Sequence, residues 1–124
     1  MLLVDPLDGT TNFIHDNAPY CVSIALRNRE ELLLGVVYEV CRNECYWARR
    51  GGKAYLNGEE IHVSSIAELD KAFIALEFPY AVDKYKPTAL HLVNALYGNA
   101  SGMRLQGAAA VEMCYVAAGR SKQE

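Results

Sequence analysis

The sequence predicts an α/β protein, a layered α+β sandwich in which a mostly antiparallel sheet packs with helices. Residues 20–63 contain a succession of strand-like apolar segments separated by short polar turns, which is typical of an antiparallel meander. Residues 71–118 instead alternate strand-like and helix-like segments. The combination favours a sheet covered by helices over an all-β or all-helical protein.

Composition sets the broad class. The chain has 124 residues, of which 52% are hydrophobic and 22% charged, as in an ordinary single globular domain. Its net charge is −3 and no basic run exceeds Arg49-Arg50, so we expect no nucleic-acid partner and no membrane-binding face. The four cysteines form no C-x-x-C pair and no secretory leader is visible, which predicts reduced thiols in a cytoplasmic protein.

The first dozen residues combine an apolar run with an acidic turn. Residues 2–4 are predicted to form a short buried strand, and Pro6 prevents a helix from running through the turn. Gly9 permits a sharp reversal, after which Thr10 or Thr11 can cap a short helix. The segment is therefore predicted to be a strand, an acidic turn and a helix start.

This turn carries oxygen ligands. Asp5, Asp8 and the carbonyl of Leu7 are oxygen donors of the kind that Mg²⁺ prefers. Two carboxylates so close together also repel each other unless a cation lies between them. Taken alone, a D-x-x-D-G pattern is more often a solvated turn or a helix cap than a metal site.

The middle of the chain is predicted to be a meander. Asn57-Gly58 is its strongest hairpin signal, because both residues accept the positive φ of a two-residue turn. The predicted strands are residues 20–27, 32–41, 44–49, 54–56 and 61–63.

The remainder alternates strand and helix. Residues 71–78 are predicted to be a strand, followed by a helix with Pro87 in its first turn that ends at Gly98. Residues 103–105 form a predicted strand, and residues 108–118 a small-residue helix that is apolar enough to be buried.

Residues 5–13, with the sequence DPLDGTTNF, resemble the signature of the inositol monophosphatase family of Mg²⁺-dependent, Li⁺-sensitive sugar-phosphate phosphatases. The resemblance continues through His15 and residues 35–38, 48–52, 57–58 and 104–119, where residues 107–110 are similar to the family's G-[ST]-A-A. It covers nearly the whole chain and implies part of that family's αβαβα fold.

The resemblance also implies site residues. Asp5, the Leu7 carbonyl and Asp8 would hold Mg²⁺, while Asp8 and Thr10 would be catalytic, with Thr10 helping to orient and deprotonate a metal-bound water. The implied substrate-binding residues are Asp8, Gly9, Thr10, Gly107, Ala108 and Ala109, with Ala108 standing where the family commonly has a hydroxyl residue.

The implied reaction is Mg²⁺-dependent hydrolysis of a phosphate monoester. The first expected substrate is inositol monophosphate, with histidinol phosphate and fructose 1,6-bisphosphate as alternatives, and the expected assembly is a homodimer. A different class of function also remains open, namely a catalytically inactive metal- or phosphate-binding fragment or an interaction module.

Family members carry a metal-binding glutamate upstream of the signature and a Trp-Asp segment after the region that matches Gly119. We therefore expect residues 1–124 to be one incomplete phosphatase domain that lacks the N-terminal helices and the C-terminal Trp-Asp segment. Glu124 is not expected to replace the missing carboxylate.

Other chemistries fit the sequence less well. Haloacid-dehalogenase-type phosphatases place their two aspartates two residues apart, whereas Asp5 and Asp8 are three apart, with Pro6 between them. The three histidines are too scattered to predict a zinc site, although His15 could border the pocket.

Overall fold

The computed structural model describes residues 1–120, so Glu124 lies outside the described residues. In this part of the chain, six strands form one antiparallel sheet in sequence order. They are β1 (Leu2–Asp8), β2 (Cys21–Arg27), β3 (Leu32–Glu39), β4 (Glu44–Arg49), β5 (Ala54–Leu56) and β6 (Glu59–Glu60). The predicted class, a mostly antiparallel sheet packed with helices, is confirmed.

Strand β1 is longer and more exposed than the sequence predicts. It continues through Pro6 to Asp8, with a register irregularity between Asp5 and Asp8. Proline is tolerated here because β1 is an edge strand of the sheet. The expectation that residues 2–4 are buried is wrong for the described part of the chain, since Leu2, Leu3 and Val4 remain 61%, 46% and 51% exposed.

The core lies between the sheet and helix α3 (Ala109–Ala117), which packs on β2 and β3. Cys21, Ala108 and Val111 are fully buried there, and Val37 and Tyr115 pack around them. Alternation along the strands turns one side of each strand toward this helix. The helix predicted over residues 108–118 is thus confirmed to within a residue at each end.

A buried carboxylate ends β3 earlier than predicted. Glu39 is fully buried, and its two carboxylate oxygens accept the N–H groups of Cys41 at 3.0 Å and Arg42 at 2.7 Å. The chain therefore turns directly after Glu39 and does not continue as a strand to Cys41.

The hairpin at Asn57-Gly58 is confirmed, because the two residues have φ angles of 48° and 84°. The strand predicted over residues 61–63, after this hairpin, is wrong in position. A two-residue turn reverses the chain at once, so the partner strand is Glu59–Glu60, and residues 61–63 lie beyond it.

The second half adds a smaller parallel sheet of β7 (Phe73–Ala75) and β8 (Gly102–Arg104), connected through helix α2 (Val82–Leu96). A 3₁₀ turn, Leu69–Lys71, precedes β7, so the strand is shorter than the predicted 71–78. Helix α2 starts before Pro87, which lies inside the helix and not in its first turn.

All four cysteines are free thiols. Among residues 1–120, no helix has the length and apolarity needed to cross a membrane.

Candidate metal and phosphate site

A cavity of about 680 Å³ brings the two predicted site segments together. The acidic turn lines one wall, and the connection before α3, about a hundred residues later in the chain, lines another. The lining residues are Asp5, Leu7, Asp8, Gly9, Thr10, Thr11, Asn12, Glu77, Phe78, Pro79, Tyr80, Leu105, Gly107 and Ala109.

Gly9 allows the two walls to meet. It is the N-cap of helix α1 (Thr10–Ile14) and has the left-handed φ of 88°. A Cβ at this position would lie 3.1 Å from the Cβ of Ala108 and 3.1 Å from the carbonyl oxygen of Pro19. Glycine is therefore required both for its backbone conformation and for its lack of volume.

The predicted threonine cap is wrong, because Gly9 occupies the cap position and no side chain caps the helix. Thr10 is instead the first helical residue, and its hydroxyl donates a hydrogen bond to the carbonyl oxygen of Leu7 at 3.2 Å. The hydroxyl oxygen keeps lone pairs that can accept a proton from another group.

Asn12 ties α1 to the opposite wall, a role that sequence reasoning missed. Its Nδ2 donates to the carbonyl oxygens of Pro19 at 2.8 Å and Gln106 at 2.7 Å. Gly107 sits directly over this amide, with a φ of 82°, and a Cβ there would lie 2.9 Å from Asn12 Oδ1. Asn12 belongs to the nine-residue signature, and this position in the sequence is the signal that could have identified its role.

Asp8 is oriented by α3 and by β2. Its Oδ2 accepts the N–H of Ala110 at 3.0 Å, at the positive end of the α3 dipole, and lies 3.8 Å from the Cys21 thiol. Burial, together with the nearby Asp8 carboxylate, raises the pKa of Cys21 to about 12. The thiol is therefore protonated at neutral pH and donates to the carboxylate.

The donor set suits a hard cation. Asp5 Oδ1 accepts the Leu7 N–H at 3.3 Å, while Asp5 Oδ2 and Asp8 Oδ1 take no hydrogen bond from residues 1–120. Asp5, Leu7 and Asp8 all line the same cavity. Mg²⁺ is commonly held by one or two carboxylates together with water and phosphate oxygens, so the residues present fit it. Within the described residues, no group of three His, Cys, Asp or Glu side chains is placed to hold a metal.

The predicted substrate wall is divided. Gly107 and Ala109 line the cavity, whereas Ala108 is fully buried beneath it, against Gly9. His15 follows α1 and does not line the cavity.

Two glutamates hold the backbone of this wall. The N–H of Gly107 donates to Glu77 Oε1 at 3.0 Å, and the N–H of Gln106 donates to Glu112 Oε1 at 2.8 Å. Sequence reasoning missed both, because Glu77 fell within a predicted strand and Glu112 within a helix that was expected to be apolar.

The protein is thus of the layered α/β class, with an oxygen-rich turn that contacts the N-terminus of helix α3 through Asp8 and Ala110. This combination of donors has the chemistry that suits a hard cation together with an anion. The sequence pattern of the Inositol monophosphatase family matches residues 1–122, and the chain belongs to this family.

Relatives agree with this assignment. Nus factor SuhB of Escherichia coli K12 is 41% identical over 118 residues, which are 95% of this chain and 44% of that protein. Among solved structures, the extragenic suppressor protein suhB of Bartonella henselae superposes with a TM-score of 0.90 at 38% identity, covering 97% of this chain and 46% of that one. The Thermotoga maritima IMPase gives a TM-score of 0.84 at 32% identity, covering 97% and 45%. The chain thus spans less than half the length of these relatives.

Proposed function

We propose that this chain carries part of the active site of a Mg²⁺-dependent phosphatase that hydrolyses a phosphate monoester, with inositol monophosphate as the first substrate. The observation that carries the proposal is the shared cavity, which is lined both by Asp5 and Asp8 and by Gly107 and Ala109. The part of the lining formed by Gly107 and Ala109 is called the Gly107 wall. Membership of the inositol monophosphatase family supports it.

Asp5, the Leu7 carbonyl and Asp8 are the proposed Mg²⁺ ligands. When bound, Mg²⁺ would lower the pKa of a water molecule and neutralise phosphate charge. The Ala110 N–H holds Asp8 through Oδ2, and Asp8 Oδ1 accepts no hydrogen bond from residues 1–120.

Thr10 is the proposed acceptor that orients the attacking water. Its hydroxyl hydrogen is engaged by the Leu7 carbonyl, so the oxygen presents lone pairs to a water and can hold or take a proton. The N–H groups of Gly9 and Thr10, at the start of α1, are the proposed phosphate contacts, since the first N–H groups of a helix lack intrahelical partners.

The polyol part of the substrate would lie against Gly107 and Ala109. The cavity volume of about 680 Å³ falls in the range of small-molecule sites. Ala108 contributes from below, by packing against Gly9, and offers no side-chain hydrogen bond to substrate.

We also propose that residues 1–124 are one incomplete domain whose metal site is completed by carboxylates of the family's upstream glutamate and downstream Trp-Asp segments. The homodimer and the cytoplasmic location are separate parts of the proposal. The coverage of relatives, 44% to 46% of their length, supports the first part of this proposal. Histidinol phosphate and fructose 1,6-bisphosphate are the alternative substrates.

The test is phosphate release from a panel of these three substrates, with Mg²⁺ and with EDTA. It uses the 124-residue chain and a hybrid in which residues 1–120 replace the matching segment of the Thermotoga maritima IMPase. We expect Mg²⁺-dependent release by the hybrid, greatest with inositol monophosphate. A folded hybrid that releases no phosphate from any substrate would reject the proposal.

A second candidate is a catalytically inactive metal- or phosphate-binding fragment or interaction module. It is favoured by the name of the 41% identical relative, Nus factor SuhB. A folded, inactive hybrid that still binds Mn²⁺, used as a probe for Mg²⁺, would support this candidate.

A further inference from the structure

The segment between β8 and α3 is held by carboxylates from two different elements. Glu77, which follows β7, accepts the N–H of Gly107 at 3.0 Å, and Glu112, in the first turn of α3, accepts the N–H of Gln106 at 2.8 Å. Two consecutive backbone donors are thus satisfied by two separate side chains.

The same segment is fixed from its other side by Asn12, which binds the Gln106 carbonyl at 2.7 Å and lies beneath Gly107. Three residues later, the Ala110 N–H binds the Asp8 carboxylate at 3.0 Å. The position of the Gly107 wall and the position of Asp8 are therefore set by one short stretch of backbone.

We propose that Glu77 and Glu112 are positioning residues, which hold Gln106 and Gly107 in the shape that presents the Gly107 wall to the cavity. They act through the main chain and not by binding the reacting groups. We call Glu77 and Glu112, with the two backbone N–H groups that they bind, the clamp. Its effect on substrate binding rests on the phosphatase function proposed above.

The two carboxyl groups support each other. Glu112 is only 4% exposed, and burial followed by a hydrogen bond with Glu77 raises the pKa of Glu112 to about 8. The charged groups that face it from other elements are Glu77 and Asp8, both acidic. Protonated Glu112 can donate to Glu77 while its other oxygen accepts the Gln106 N–H. The pair therefore holds both backbone donors without placing two negative charges next to each other.

A glutamine reproduces this arrangement and an alanine does not. An amide at either position still offers an oxygen to the backbone N–H and a donor to the neighbouring carboxyl group. The clamp therefore predicts that Glu77→Gln and Glu112→Gln preserve the wall, whereas Glu77→Ala and Glu112→Ala release it.

Amide hydrogen exchange of the 124-residue chain, followed residue by residue by NMR without metal, tests the clamp. Glu77→Ala should accelerate exchange at Gly107 about tenfold, as expected for a lost bond to a charged acceptor, while the sheet amides remain unchanged. Glu112→Ala should accelerate exchange at Gln106 by less than about tenfold, because the lost acceptor is a protonated, neutral carboxyl group. The Gln variants and the exposed control Glu59→Ala should match wild type.

Unchanged exchange in both Ala variants would overturn the proposal, as would Gln variants that are as fast as the Ala variants. A Glu77→Gln chain that loses Mn²⁺ affinity would also overturn it, by making Glu77 a metal ligand.

Kinetics of the hybrid separate this inference from the proposed function. Glu77→Ala should raise KM for inositol monophosphate about tenfold with kcat changed less than about twofold, because the wall binds substrate and does not react. An inactive wild-type hybrid would reject the phosphatase proposal, while the exchange data would still decide the clamp.

Discussion

At the scale of single residues, Gly9 and Ala108 show how the site depends on volume as well as on chemistry. The acidic turn reaches the start of α3 because one residue has no side chain and the other has a single methyl group. Gly58 has nearly the same backbone conformation, with a φ of 84°, but open space around it, which makes it a matched control.

We predict that Gly9→Ala lowers the free energy of unfolding by about 3 kcal/mol and Gly58→Ala by about 1 kcal/mol. Both changes force an alanine into a left-handed conformation, but only the first also meets Ala108 and Pro19. Urea unfolding of both variants measures the difference. Equal losses would show that close packing at Gly9 is unimportant.

A second residue-scale prediction concerns Glu112, whose pKa is raised to about 8 from an ordinary 4.5. Between these values the native state binds a proton that the unfolded chain releases, so this residue makes the free energy of unfolding fall as pH rises. Glu112→Gln should remove that part of the decline, while Glu59→Gln should leave it intact.

The measurement is urea unfolding across that pH range in EDTA. If wild type and Glu112→Gln lose stability in parallel, the buried acid is not protonated in the native state.

At the scale of elements, Arg120 fastens the end of α3 to β4. Its guanidinium donates to both carboxylate oxygens of Glu44, the Nη1 bond measuring 2.7 Å, and lies 4.8 Å above the Tyr115 ring. The hydrogen bond from Arg120 lowers the pKa of Glu44. This pair helps to keep α3, and with it the Ala110 N–H, over the sheet.

We predict that Arg120→Met lowers the free energy of unfolding at neutral pH by about 1–2 kcal/mol. A carboxyl group whose pKa is lower in the folded state contributes its full stabilisation at pH values above its unfolded-state pKa. That contribution is lost as the pH falls through its folded-state pKa. The difference between wild type and variant should therefore shrink in acid. Thermal unfolding at several pH values measures this difference, and Arg29→Met, at an exposed residue, is the control. A difference that does not change with pH would contradict this account of the Arg120–Glu44 pair.

Elements were predictable where local chemistry decides them. Asn57-Gly58 dictates its hairpin, and the small-residue run after Gly107 dictates α3, within one residue. The errors arose where tertiary contacts decide. The buried Glu39 carboxylate ends β3, and the exposed edge position lets β1 continue through Pro6.

The candidate site likewise contains residues whose roles follow from the local sequence and residues whose roles depend on tertiary contacts. The signature predicted that Asp5, Asp8 and Thr10 share one wall, because they are close in sequence. The roles of Asn12, Glu77 and Glu112 depend on a segment about a hundred residues away meeting the acidic turn, and no local pattern encodes that contact.

At the scale of the whole molecule, the end of β1, helices α1 and α3 and the segments that follow β7 and β8 meet at one cavity within residues 1–120. The antiparallel sheet supplies the acidic turn at the end of β1, and the strands β7 and β8 lead to Glu77 and Gly107. The first turn of α3 binds Asp8 through the Ala110 N–H. Family membership and the shared cavity both support the phosphatase activity proposed above.

The rate of phosphate release from inositol monophosphate by the hybrid, with wild-type residues 1–120 and with Asp8→Asn, tests the central claim most directly. The account predicts Mg²⁺-dependent release by the wild-type hybrid and a loss of at least about a hundredfold in Asp8→Asn, because one metal-binding oxygen becomes an amide. The exposed control Asp83→Asn should retain full activity. Undiminished Mg²⁺-dependent release by the Asp8→Asn hybrid would contradict the account.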